Sequence, residues 1–277
     1  MPETSVAIGN LTLGGERPLF ILGPCVIESR PFLLEVAPRI RDIADEAGVD
    51  FVLKASYDKA NRSSVDSFRG PGCREGCEIL AEAGQQIGVP VTTDVHTEEE
   101  AATAGETIDV LQIPAFLCRQ TDLIAAAATT GRVVNVKKGQ FLAPWDVKNI
   151  AEKLDSFGCL NYFFTERGST FGYNNLVADM RSICWMQEDG LRVVFDATHS
   201  VQRPGGLGSS SGGDGRLAPA LARAAVATGC DGVFLETHPD PAHAPSDGPN
   251  QVPLSDLGGI LRQLRAIHEL VHSSPRD

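Results

Sequence analysis

Val133-Val-Asn-Val-Lys137 is a β-rich run, Ala143–Leu154 is an amphipathic stretch of helical pattern, and Tyr162-Phe-Phe-Thr165 is the next β-rich run. A strand–helix–strand unit of this kind belongs to a parallel α/β sheet, because parallel neighbours need a crossover between them. The unit repeats outward in both directions. Strand candidates are Leu19–Gly23, Phe51–Lys54, Val89–Thr93, Val110–Ile113, Val133–Lys137, Tyr162–Thr165, Arg192–Asp196 and Val233–Glu236, eight in all. Helical patterns fill the gaps at Phe32–Ala47, Gly76–Gln86, Asp122–Thr129, Ala143–Leu154, Leu176–Met186 and Leu217–Thr228, and Leu254–Val271 closes the set. Eight strands alternating with helices over roughly 250 residues predict an α/β fold of the (β/α)8 TIM-barrel type. The competing arrangement is an open doubly wound sheet, which periodicity does not separate from a barrel.

No linker or shift of composition splits the chain, so residues 1–277 are expected to form a single barrel domain. Ser5–Gly14 alternates around Gly9-Asn10 like a small hairpin, which predicts an N-terminal cap over residues 1–16 at the bottom of the barrel. Gly205-Gly-Leu-Gly-Ser-Ser-Ser-Gly-Gly-Asp-Gly215 lacks the Lys-Ser/Thr ending of a Walker A loop. Its place between the seventh strand and the following helix predicts a flexible lid over residues 203–216, the plain alternative being a linker without a role.

A formal charge of −12 argues against nucleic acid as a partner, since phosphate-backbone binding draws on clustered basic residues. Small anions remain open, because a few focused cations suffice inside an acidic protein. No run approaches the ~20 apolar residues of a membrane span, and the N-terminus lacks a signal-peptide pattern, so a cytoplasmic location is expected. The seven cysteines include no CxxC pair and fit reduced thiols.

Chemistry collects at the strand ends: Cys25, Lys54, Asp94, Gln112, Lys137, Arg167, His199 and Glu236 in chain order. In a barrel these ends open on one face, where catalytic groups sit. The loop after the second strand, Lys54-Ala-Ser-Tyr-Asp-Lys-Ala-Asn-Arg-Ser-Ser64, adds three cations and several hydroxyls. With Lys137 and Arg167 it carries enough positive charge for two anionic substrates. Cys25, His199, Glu236 and Asp247 offer a mixed S/N/O set suited to Zn, Fe or Mn. Each has an ordinary alternative: a packed cysteine, or a turn aspartate in Ser246-Asp-Gly-Pro-Asn250. His96 and His238, also near strand ends, read as groups that support the ligands or the structure rather than as ligands themselves.

The ordered set Leu53-Lys-Ala-Ser-Tyr-Asp-Lys-Ala-Asn-Arg-Ser-Ser64, Leu111-Gln-Ile-Pro-Ala-Phe-Leu117, Val136-Lys-Lys-Gly-Gln140, Thr165-Glu-Arg-Gly168, Asp196-Ala-Thr-His-Ser200 and Phe234-Leu-Glu-Thr-His-Pro239 resembles the motifs of the 3-deoxy-D-manno-octulosonate 8-phosphate synthases. The resemblance runs from about Phe20 to Leu270. It implies a homotetrameric barrel that joins phosphoenolpyruvate to D-arabinose 5-phosphate, releases phosphate, and makes the precursor of the Kdo sugar of lipopolysaccharide. It further implies Lys59, Lys137 and Arg167 on phosphoenolpyruvate, with Lys54, Ser56 and Gln112 assisting. Asn61, Arg62 and Ser63 would hold the aldose phosphate, with Arg119 reaching in from a neighbouring subunit. Lys59, Lys137, His199 and Asp94 are the catalytic candidates. Gly23-Pro-Cys-Val-Ile-Glu-Ser29 resembles the metal-dependent branch, which has Cys where the other branch has Asn. A divalent metal on Cys25, His199, Glu236 and Asp247 is therefore expected.

The sister family, which uses erythrose 4-phosphate, typically carries Lys-Pro-Arg-Thr-Ser in the second-strand loop. Here that loop reads Lys59-Ala-Asn-Arg-Ser63, which favours the pentose phosphate. A third reading is an inactive barrel serving as a regulatory subunit.

Overall fold

The computed structural model describes residues 5–60, 67–203 and 212–273. Its parallel strands are β1 (Leu19–Gly23), β2 (Asp50–Lys54), β3 (Val91–Asp94), β4 (Val110–Ile113), β5 (Val133–Lys137), β6 (Tyr162–Glu166), β7 (Val193–Asp196) and β8 (Gly232–His238). Each pairs with the next in chain order, and β8 returns to β1, with Gly232↔Leu19 through Glu236↔Gly23 in register. That last pairing closes the barrel and excludes the open sheet. A parallel strand covered on both faces is buried along its whole length, as Val133–Lys137 is at every position, its Asn135 and Lys137 finding polar partners inside the barrel.

The strands alternate with α1 (Arg30–Ala47), α2 (Cys73–Ile87), α3 (Glu98–Gly105), α4 (Thr121–Thr129), α5 (Lys148–Ser156), α6 (Arg181–Glu188), α7 (Ala218–Thr228) and α8 (Leu254–Ser273). Helix α1 shows the local logic. Ser29 Oγ accepts from Phe32 N at 3.3 Å, and Gly48 ends the helix at φ 67°, where a side chain is disfavoured. Leu33, Val36, Ala37, Ile40 and Ala44 form its buried stripe against the barrel. Full burial of each larger one contributes about 1.5–3 kcal/mol.

Inside the barrel a separate apolar cluster joins Ile21, Val52, Val110, Phe163, Val194 and Phe234 to Val6, Ile8 and Leu13 of the N-terminal hairpin. The hairpin pairs Val6–Ile8 with Leu11–Leu13 about Gly9-Asn10, as the alternation predicts. Its inward side chains fill the end of the barrel opposite the strand carboxyl ends.

Three helical expectations change. Leu176–Met186 is not one helix: Leu176–Val177 pairs antiparallel with Ser169–Thr170, and α6 begins at Arg181, where Asp179 Oδ1 accepts from the Arg181 backbone N–H at 3.0 Å. Ala143–Leu154 divides into a 3-10 turn, Pro144–Asp146, and α5. Helix α3 was hidden by weak amphipathicity, and only Ala101 and Ala104 are buried. Of the expected lid, residues 204–211 lie outside the described residues. Its flanks Gln202–Arg203 and Gly212–Gly213 pair antiparallel. No helix among the described residues is long and apolar enough to cross a membrane.

Candidate active site at the barrel mouth

The strand register sets the predicted residues at one level. Asp94 stands opposite Gln112, Lys137 opposite Thr165, and Glu236 opposite Gly23. Gly23 is needed at its position because a Cβ there would lie 1.9 Å from the Lys54 carbonyl oxygen. That approach lets the chain turn into Pro24-Cys25 directly beside β2.

Two chains of hydrogen bonds organise the cations. On one side Lys59 Nζ donates to Ser56 Oγ at 2.9 Å, and Ser56 Oγ donates to Asp94 Oδ1 at 2.6 Å. On the other, Lys137 Nζ donates to Asp196 Oδ2 at 2.5 Å and lies 4.0 Å from the centre of the Phe234 ring. Between them Lys54 Nζ donates to Glu236 Oε1 at 2.7 Å and to the Cys25 carbonyl at 3.0 Å. Lys54, Lys59, Lys137 and Arg167 are all buried. Burial alone would push these cations toward neutrality. For Lys59 that effect is overcome by Cys25, Glu236 and Asp94, which hold its pKa above the usual lysine value. For Lys137 burial wins over the Asp196 charge and the pKa falls. Arg167 donates through Nη2 to Gln202 Oε1 at 3.0 Å, while its buried Nη1 has no hydrogen-bond partner.

The acidic side carries the predicted metal donors. Cys25 Sγ lies 3.5 Å from Asp247 Oδ2, and His199 Nε2 lies 3.9 Å from Glu236 Oε2 and 4.0 Å from Asp247 Oδ2. Ligand atoms of Cys25, Glu236 and Asp247 all fall within 4.8 Å of one another. A tetrahedral ion with bonds of 2.0–2.3 Å separates its ligand atoms by about 3.3–3.8 Å, so Cys25, Glu236 and Asp247 suit one, while His199 stands beside the two carboxylates and outside that compact group. Glu236 Oε2 is buried without a hydrogen-bond partner, the condition of an oxygen suited to a cation. Burial would raise the Glu236 pKa, but Lys54, His199 and Lys59 prevail and hold it at about 2. The Cys25 thiol is pushed up to about 12 by burial and by Glu236.

His199 is oriented from behind. Its backbone N–H donates to Asp196 Oδ1 at 2.9 Å, and Nδ1 faces Asp196 Oδ2 at 2.8 Å. A carboxylate only accepts, so Nδ1 carries a proton toward Asp196, and the ring is thereby turned with Nε2 toward Glu236 and Asp247. Asp247 has φ 50°, a left-handed conformation that Asp tolerates better than most residues. Asn250 N, which donates to the Asp247 carbonyl at 2.9 Å, fixes that turn.

Gln112, opposite Asp94, accepts from Asn135 Nδ2 at 3.3 Å. Arg119 stands apart from this cluster, exposed, beside a cavity of about 330 Å³ lined with Asp146, Asn149 and Lys153. Asn61, Arg62 and Ser63 lie outside the described residues. Several functional neighbours went unread in the sequence. Asp196 sits inside the quoted motif, but its hydrogen bonds from Lys137 and His199 need the β5–β7 geometry. Gln251, whose Oε1 accepts from Cys25 N at 3.3 Å, and Ser246, 3.0 Å from Cys25 Sγ, carry no signal of their own.

Residues 3–273 match the DAHP synthetase I family. The chain belongs to that family. It is 56% identical over 267 residues to a 2-dehydro-3-deoxyphosphooctonate aldolase of Geobacter metallireducens, covering 96% of this chain and 98% of the relative. A protein of the same name from Rhodopseudomonas palustris is 54% identical over 276 residues, 99% of this chain and 96% of its own. Another from Geotalea daltonii is 54% identical over 267 residues, 96% and 98% of the two chains.

Proposed function

We propose that this chain is an enzyme condensing phosphoenolpyruvate with D-arabinose 5-phosphate and water, yielding 3-deoxy-D-manno-octulosonate 8-phosphate and inorganic phosphate. The observation that carries this reading is the pairing of opposite needs in one mouth. Arg167 Nη1 is a buried donor without an acceptor, and Glu236 Oε2 is a buried acceptor without a donor. A site with both is built for an anion beside a cation. The relatives, 54–56% identical, are named 2-dehydro-3-deoxyphosphooctonate aldolases, which supports reading the anions as the two halves of a phosphorylated eight-carbon sugar acid.

Lys59, Lys137 and Arg167 hold the carboxylate and phosphate of phosphoenolpyruvate, with Lys54, Ser56 and Gln112 assisting. Asn61, Arg62 and Ser63 hold the aldose phosphate, and the exposure of Arg119 suits a side chain offered to a neighbouring subunit. The cations overcome the repulsion between two anions and set carbon 3 of phosphoenolpyruvate against the aldehyde carbon. The π electrons of the enol form the new C–C bond, and water adds its oxygen at carbon 2. The proton that water loses balances the one that the aldehyde oxygen gains. The intermediate then breaks its C2–O bond to the phosphoryl group; phosphate leaves with the electron pair and takes up the proton lost by the C2 hydroxyl, which becomes the product ketone. Lys137, held by Asp196 and stacked over Phe234, keeps a positive charge facing the oxygens that become negative.

Cys25, His199, Glu236 and Asp247 would hold a divalent ion such as Zn, Fe or Mn, which when bound supplies Lewis acidity and a point of orientation. Exposed aromatics on consecutive loops of the same face, Phe116, Phe141, Trp145, Phe171 and Tyr173, support burial between copies in a homotetramer.

The test is phosphate release from phosphoenolpyruvate plus arabinose 5-phosphate, with chelator-treated protein before and after divalent metal is restored. Release that is lost and regained with metal is the expected result. Release that survives complete chelation would keep the reaction and remove the metal. Faster release with erythrose 4-phosphate would overturn the substrate.

A further inference from the structure

Behind the Lys59 side of the mouth lies a run of charges that the reaction as derived above does not use. Asp94 accepts from Ser56 through Oδ1, while its Oδ2 faces His96 Nε2 at 3.2 Å. The other ring nitrogen of His96, Nδ1, faces Glu100 Oε2 at 3.0 Å. The same Glu100 oxygen accepts from the His96 backbone N–H at 2.8 Å and from Tyr57 Oη at 2.9 Å. Tyr57, fully buried, sets its ring edge-on to the imidazole at 5.8 Å. Glu100 is carried in the first turn of α3, where Thr97 Oγ1 accepts from its backbone N–H and the helix dipole favours a negative charge.

The geometry fixes the proton count. Carboxylates only accept, and both ring nitrogens face one, so both carry protons and the ring is an imidazolium. Burial opposes that charge, but Asp94 and Glu100 outweigh it and push the His96 pKa up to about 10. The charges then alternate from the helix to the mouth: Glu100 negative, His96 positive, Asp94 negative, Lys59 positive. Breaking such a run leaves Asp94 free to turn away from Ser56, and Lys59 loses the hydroxyl that fixes its amino group.

We propose that His96 is a positioning residue for the phosphoenolpyruvate end of the site, holding Asp94 so that Ser56 aims Lys59, with Glu100 as its outer anchor. This rests on the reading above that Lys59 binds phosphoenolpyruvate. Acting through Asp94, Ser56 and Lys59, His96 should on its loss change affinity for one substrate rather than turnover.

The experiment is steady-state kinetics of the metal-loaded, full-length enzyme with each substrate varied in turn. His96→Leu should raise the KM for phosphoenolpyruvate roughly tenfold while kcat and the KM for the aldose move less than roughly threefold. His96→Gln keeps a donor near the Nε2 position and should recover most of the loss. Glu100→Gln, on a half-buried side chain that leaves the core intact, should raise the same KM roughly threefold. The inference is overturned by an unchanged phosphoenolpyruvate KM in Glu100→Gln or His96→Leu. It is also overturned if kcat and both KM values worsen together in every variant, the signature of general disruption. Lys59→Met separates the two levels. If it too leaves the phosphoenolpyruvate KM unchanged, the reading of Lys59 fails and the inference with it. If it raises that KM while the His96 variants do not, the His96 inference alone fails.

Discussion

At Cys25 two opposite demands meet. The burial that makes its sulfur a poor thiolate, with a pKa pushed up to about 12, also places it 3.5 Å from Asp247 Oδ2. A divalent cation reverses the balance, because a coordinated thiol gives up its proton. Metal uptake at neutral pH should therefore release about one proton per ion, and affinity should rise with pH. Titrating zinc into chelated protein in two weak buffers checks this. Cys25→Asn should bind metal more weakly by tenfold or more and release no such proton; full metal retention by that variant, seen by elemental analysis, would remove Cys25 from the ligand set. Cys25, Lys54, Lys137, His199 and Glu236 were legible as reactive types at strand ends. Asp94 was equally legible, but its link to His96 was not, because that bond runs between a strand end and a ring whose direction no spacing specifies.

At the level of elements, β1 and β2 are joined more tightly at their carboxyl ends than ordinary strands. Gly23 turns the chain where any side chain would strike the Lys54 backbone, and Lys54 in turn bonds back to the Cys25 carbonyl and to Glu236 on β8. Gly23→Ala should therefore cost about 2 kcal/mol or more in stability and weaken phosphoenolpyruvate binding together. Urea unfolding and a substrate titration on one preparation test it; a normal denaturation midpoint would show that the strands separate without cost. The β-rich runs were readable because a strand covered on both faces admits little but apolar residues. The region after β6 was misread because Leu176, Val177, Met180, Ile183 and Met186 resemble a helical stripe. There the pairing of Leu176–Val177 with Ser169–Thr170 outweighs that local pattern, and helix begins only at Arg181.

Across the whole molecule, an acidic chain concentrates buried cations on one face and surrounds them with exposed aromatics. Phe171 and Tyr173 are 72% and 99% exposed, more than their apolar area favours in water. If they are buried between copies, Tyr173→Asp or Phe171→Asp should shift sedimentation from a tetramer toward smaller species. The same variants should weaken use of the aldose, because Arg119 would no longer reach a neighbouring mouth. An unchanged sedimentation coefficient in both variants would locate any assembly elsewhere.

Apolar runs alternating with helical stripes were enough to specify a parallel α/β fold with polar residues at the strand ends, since burial on two faces and burial on one leave different periods in the chain. Eight reactive residues at those ends pointed to one catalytic face. Closure itself rests on β8 meeting β1, a contact between residues more than two hundred positions apart. The proton on His199 Nδ1, the orphaned oxygen of Glu236 and the imidazolium of His96 likewise depend on which groups stand within about 3 Å of one another, the range of a hydrogen bond. Such distances are set by packing, and no order of residues along the chain encodes them directly.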